Sequence, residues 1–124
     1  HRHLSPPKAE SFLILAGRVA FFTFEDDGSV AACDLLGLAR NADHPDGDLS
    51  GESAALNLGI DISPGYWHTL VVLSEYAICF EVKPGPYRAS DDKEFAPWAP
   101  HEGVAPPEAI RAYQTKLLAH AGGL

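Results

Sequence analysis

Apolar and polar residues follow one another in short blocks along this chain, at the length and period of β-strands. Ser11 to Ala16 is a nearly continuous apolar run and Arg18 to Glu25 is another, with Gly17 between them. Asp26-Asp27-Gly28 then predicts a hairpin turn, because Asp and Gly accept the positive φ such turns need, and Val30 to Leu36 is the returning strand. Further strands are predicted at Ala54 to Ile62, Trp67 to Leu73 and Tyr76 to Val82. Between residues 39 and 53 the chain turns polar and rich in Asp, Gly and Asn, which predicts a long solvated loop. Its acids, Asp43, Asp46, Asp48 and Glu52, lack the spacing of a calcium loop. Residues 84–106 carry many prolines and no apolar period, as an irregular arm laid over the β-structure would. A helix is predicted from about Pro107 to His120, with proline at its start, Ile110, Tyr113 and Leu117 on one face, and Gly122-Gly123 to stop it. Short strands plus one terminal helix predict an all-β sandwich or barrel with a docked helix, in a single domain over residues 1–124.

Composition narrows the function classes. A chain of 124 residues with 46% hydrophobic and 21% charged residues suits one globular core. The net charge of −8, with no Lys/Arg cluster, argues against a nucleic-acid partner. No apolar run is long enough to span a bilayer. Cys33 and Cys79 sit in strand-like runs and make no disulfide framework, which favours reduced thiols and a cytoplasmic setting.

Three features carry candidate chemistry. In His1-Arg2-His3 the two imidazoles lie two residues apart, so on extended backbone they face the same way and can reach one ion. A purification-tag remnant would leave a similar pair. Glu10 heads an apolar strand, in line with Phe12, Ile14 and Ala16, where a carboxylate needs either water or a partner. His68 opens a strand after the Pro64-Gly65 turn, with Leu70 and Val72 following on its face. Together they supply three imidazoles and one carboxylate, a donor set suited to Fe(II), Mn, Ni, Co or Zn with positions left for water or substrate.

The spacing of these residues is similar to that of a known family. His1-x-His3, Glu10 and then Gly17 resemble the first cupin motif, and Ser63-Pro64-Gly65-x-x-His68 resembles the second. Pro6-Pro7-Lys8, Trp67-His68-Thr69-Leu70, Phe80 to Tyr87 and Asp92 to Pro100 resemble the WbuC-type cupin-fold metalloproteins. The chain departs from the pattern in four places, one of them a longer loop over Ala39 to Ser53. Six residues separate His3 from Glu10, Ser63 stands where the second motif has proline, and the segment that precedes the His-x-His pair in that family is missing. The resemblance implies a jelly-roll β-barrel, with one divalent transition metal held by His1, His3, Glu10 and His68. It implies a small-molecule ligand and leaves room for a homodimer through the barrel edges. Two functions fit. One is a metal-dependent enzyme, an isomerase, epimerase or dioxygenase-like cupin, acting on a small sugar-like or carboxylate substrate in surface-polysaccharide biosynthesis. The other is a non-catalytic ligand-binding or sensor module with a structural metal.

Alternation over Tyr76 to Lys83 sets Ala77, Cys79, Glu81 and Lys83 on one face. If that face lines the cavity, Glu81 becomes the acid/base residue and Lys83 a substrate anchor; the opposite assignment puts both in solvent. Tyr66 and Trp67 flank His68 and are candidate pocket walls, although core burial is the commoner fate of Trp. Tyr87, Phe95 and Trp98 are expected to pin the arm. Arg88 and Lys93 are expected to offer charge to an anionic ligand, and Arg2 to face away from the pocket.

Overall fold

A computed structural model describes residues 1–38, 56–90 and 92–122. Among these residues six strands, β1 (Glu10–Ala16), β2 (Arg18–Phe24), β3 (Val30–Gly37), β4 (Gly59–Ile62), β5 (Trp67–Val72) and β6 (Ile78–Val82), precede one helix, α1 (Pro107–Ala121). The polar segment 39–53 lies outside the described residues. The fourth strand is shorter than the apolar run from Ala54 predicts. Residues 54–55 lie outside the description, and Asn57 makes only an isolated bridge to Leu36.

The strands form two antiparallel three-stranded sheets, ordered β4-β1-β6 and β3-β2-β5. Among the described strands only the β2–β3 hairpin stays within a sheet, and every other step from one to the next changes sheets. The step from β1 to β2 turns on Gly17, whose φ of 75° and close packing both exclude a side chain. A Cβ there would strike the Tyr76 carbonyl oxygen and sit 2.6 Å from Ser74 Oγ. The hairpin turn forms at the predicted place. Gly28 takes a φ of 88°, and Asp27 Oδ1 accepts hydrogen bonds from the Ser29 N–H (2.8 Å) and hydroxyl (2.6 Å).

Strand β2, sequence RVAFFTF, is apolar on both faces because both are covered. Val19 and Phe21 point between the sheets, where they meet Phe12, Ile14, Leu36 and Ile62. Ala20, Phe22 and Phe24 point the other way, into a second core with Trp67, Val71, Ala96 and Leu117. The proline-rich arm and α1 therefore form a third layer on the β3-β2-β5 sheet. Leu117 is the buried contact of α1, with Tyr113 packed beside it. No described helix is long and apolar enough to cross a membrane.

Candidate metal centre

One end of the space between the sheets is closed by polar residues. Residues 1–3 run extended beside the start of β5, where the His68 N–H donates to the His1 carbonyl (2.9 Å) and the Gly65 N–H to that of His3 (3.0 Å). On their other side Arg2 exchanges backbone hydrogen bonds with Glu94 (2.9 and 3.0 Å). Extended geometry turns His1 and His3 inward and Arg2 outward. Arg2 stacks 4.0 Å over the Trp67 ring and forms a bidentate pair with Glu94 (2.8 and 3.0 Å), away from the pocket as expected. Glu10 enters at the head of β1 beside Phe12. His68 enters from β5 and stacks on Phe21, with ring centroids 5.7 Å apart.

The nitrogen and oxygen donors of His1, His3, Glu10 and His68 all lie within 4.8 Å of one another. An ion with bonds of about 2.0–2.2 Å could gather such a set with sub-ångström movement. His3, Glu10 and His68 are each only 3% exposed. His68 Nδ1 donates to the Tyr66 carbonyl (2.9 Å), and His3 Nδ1 to that of Asp92. With Nδ1 serving as donor, each ring presents a lone pair at Nε2. These Nε2 atoms lie 3.1 Å (His3) and 2.8 Å (His68) from the two Glu10 oxygens, off the line an N–H would need, so neither has a hydrogen-bond partner among the described residues. Buried lone pairs converging on a carboxylate are stable only around a positive charge, either a proton on a ring or a metal ion. The donor set fits a divalent transition metal.

Burial works to raise the Glu10 pKa, but the close approach of the His68 ring and of Glu81, with electrostatic attraction from His68 and His3, brings it down to about 2.

Beside this cluster opens a cavity of about 550 Å³, lined by His1, Glu10, Phe12, Phe21 and His68, then by Glu81, Lys83, Lys93 and Glu102. Glu81 and Lys83 therefore lie on its wall, on the face of β6 that alternation sets opposite Phe80 and Val82. Burial raises the Glu81 carboxyl, and the neighbouring Glu10 raises it further. Lys83 Nζ lies 2.8 Å from Asp92 and 3.8 Å from Glu81.

Other expected wall residues sit elsewhere. Trp67 faces away from His68 by strand alternation and packs in the core beneath the arm, its indole N–H donating to Asp26 (3.0 Å). Tyr66 is exposed and does not line the cavity. Tyr87 does not pin the arm: it is 72% exposed, at the cavity mouth. Phe95 and Trp98 do pack, Phe95 against His101 and Trp98 against Phe24 and Trp67. Lys93 lines the cavity, whereas Arg88 is exposed and does not.

Two residues that matter here carried no role in the sequence reading. Asp92 is buried in the arm between Lys8 (3.2 Å) and Lys83 (2.8 Å), and Lys8 Nζ also donates to the Pro86 carbonyl (2.9 Å). The pairing with Lys83, then Lys8, holds the Asp92 carboxyl below its ordinary range. The backbone oxygen of Asp92 orients His3, so the Lys8–Asp92–Lys83 knot also sets one of the candidate ligands. In the sequence all three residues lie in stretches that carry the family resemblance, but the arm has no period from which to read the burial of Asp92.

Residues 1–36 match the model of a family described as a domain of unknown function (DUF6016), a span that carries His1, His3 and Glu10. No curated protein and no solved structure matches the chain.

Proposed function

We propose that this chain is a cupin-type metalloprotein similar to the WbuC kind, and that it is a metal-dependent enzyme acting on a small polar substrate, sugar-like or carboxylate. The repeated crossing of the chain between two antiparallel sheets supports a jelly-roll reading, since such a path interleaves the strands of both layers. The observation that carries the metal is the pair of buried, unpartnered Nε2 atoms on either side of the Glu10 carboxylate. His1, His3, Glu10 and His68 would hold the ion. When bound, a divalent metal supplies Lewis-acid polarisation of a substrate oxygen or acidifies water. Glu81, with its raised carboxyl on the cavity wall, holds or passes a proton at the substrate. Lys83 and Lys93 attract an anionic or hydroxylated ligand to that wall.

Elemental analysis of untagged protein, wild type and His68→Ala, tests the reading. About one transition metal per chain in the wild type and loss of it in H68A is the expected result; a metal-free wild type refutes it. Turnover in a panel of sugars and hydroxy acids then tests the enzyme. A non-catalytic ligand-binding or sensor module is the second reading, favoured by the pairing of Lys83 with Asp92 and Glu81, which ties down charged groups on the cavity wall. Bound metal and retained ligand affinity without turnover would select it.

A further inference from the structure

Next to the polar cavity is a second lobe of about 250 Å³. The two share His1, His68, Thr69, Leu70 and Glu102, so they meet at two of the metal-ligating imidazoles. Their chemistry differs. The first is walled by carboxylates and ammonium groups, the second mainly by Phe95, Trp98, Ala99, Ile110 and Tyr113 from the arm and α1. An apolar cavity of about 150 Å³ already suffices to hold a benzene ring, so this lobe has room for one ring.

We infer that the two lobes form one binding site for an amphiphilic small molecule, with an oxygen-donor head at the metal and a compact, ring-sized apolar tail in the lobe between β5, the arm and α1. This inference rests on the metal-binding reading and narrows its ligand: a fully hydroxylated sugar would leave the second lobe unfilled. Polar groups fix the head and apolar contact selects the tail, the usual division of labour in small-molecule sites.

A matched pair of chelators tests it. Acetohydroxamate and benzohydroxamate share a metal-binding head and differ by the ring. They are titrated by calorimetry into metal-loaded protein whose metal content is measured on the same sample. Benzohydroxamate should bind at least about tenfold tighter, since burying a ring contributes more than one decade of affinity. Ala99→Phe, which fills the lobe from the arm, should shrink that preference to within about threefold while leaving metal content and acetohydroxamate affinity unchanged. Gln114→Trp, from the exposed side of α1, gives the same readout should A99F fail to fold. Equal affinities in the wild type, or a metal-loaded protein that binds neither compound, overturn the inference and leave the metal reading standing. A sample without metal overturns both.

Discussion

Glu10→Gln separates a metal ligand from a merely buried acid. The substitution keeps the shape and the apolar contacts of β1 but removes the charge lying 2.8 and 3.1 Å from two imidazole nitrogens. A ligand that binds only the folded state stabilises it by RT ln(1+[L]/Kd), about 2.7 kcal/mol when free metal is 100 times Kd. For a domain of this size each kcal/mol moves Tm by about 3–6 °C, so the wild type should gain about 8–16 °C. Losing a second-layer contact to a metal ligand weakens binding by about 10–100-fold. Losing the one carboxylate in the donor set should weaken it by about 100-fold or more. At the same free metal that leaves about 0.4 kcal/mol, a shift of only about 1–2 °C. Scanning calorimetry of chelated and metal-loaded samples reads both values. Equal shifts in wild type and E10Q would remove Glu10 from the ligand set, and no shift in either, with millimolar metal present, would remove the site.

Two further perturbations follow from the geometry. In metal-free protein Glu10 is depressed from its ordinary 4.5 to about 2, so it contributes stability that is present above pH 4.5 and is lost as the pH falls from there toward 2. Urea unfolding across that window should show the loss, and E10Q should flatten it; an unchanged slope would count against the imidazole contacts. Glu81 has the opposite sign, because its raised carboxyl opposes folding once it ionises. Glu81→Gln should therefore stabilise the metal-free protein slightly at pH 7, by less than about 1 kcal/mol at so exposed a side chain. Asp92→Ala leaves the buried Lys8 without its carboxylate, which should destabilise the protein by about 3–5 kcal/mol. Adding Lys8→Met should recover part of that loss, and a single-mutant effect below about 1 kcal/mol in urea unfolding would show that the ion pair is not a structural one.

Local pattern settled the strands, the hairpin at Gly28 and the terminal helix, because alternation, turn residues and a proline start act over a few neighbours. It also brought together His1, His3, Glu10 and His68 as candidate donors, from a His-x-His pair, a carboxylate in line with an apolar strand face, a histidine opening a later strand, and a spacing similar to a cupin pattern. What local pattern could not decide was which of two apolar faces meets which layer. Trp67 next to His68 was a candidate pocket wall with core burial the commoner fate, and the seating of α1 and the arm on the β3-β2-β5 sheet made it core. Glu81 and Lys83 could have faced solvent or cavity until the pairing of β6 with β1 set their side of the sheet. The Lys8–Asp92–Lys83 knot was invisible for a related reason: its members lie up to 84 residues apart. Charges brought together over such distances leave no period along the chain, and tertiary packing alone decides whether they meet water or one another.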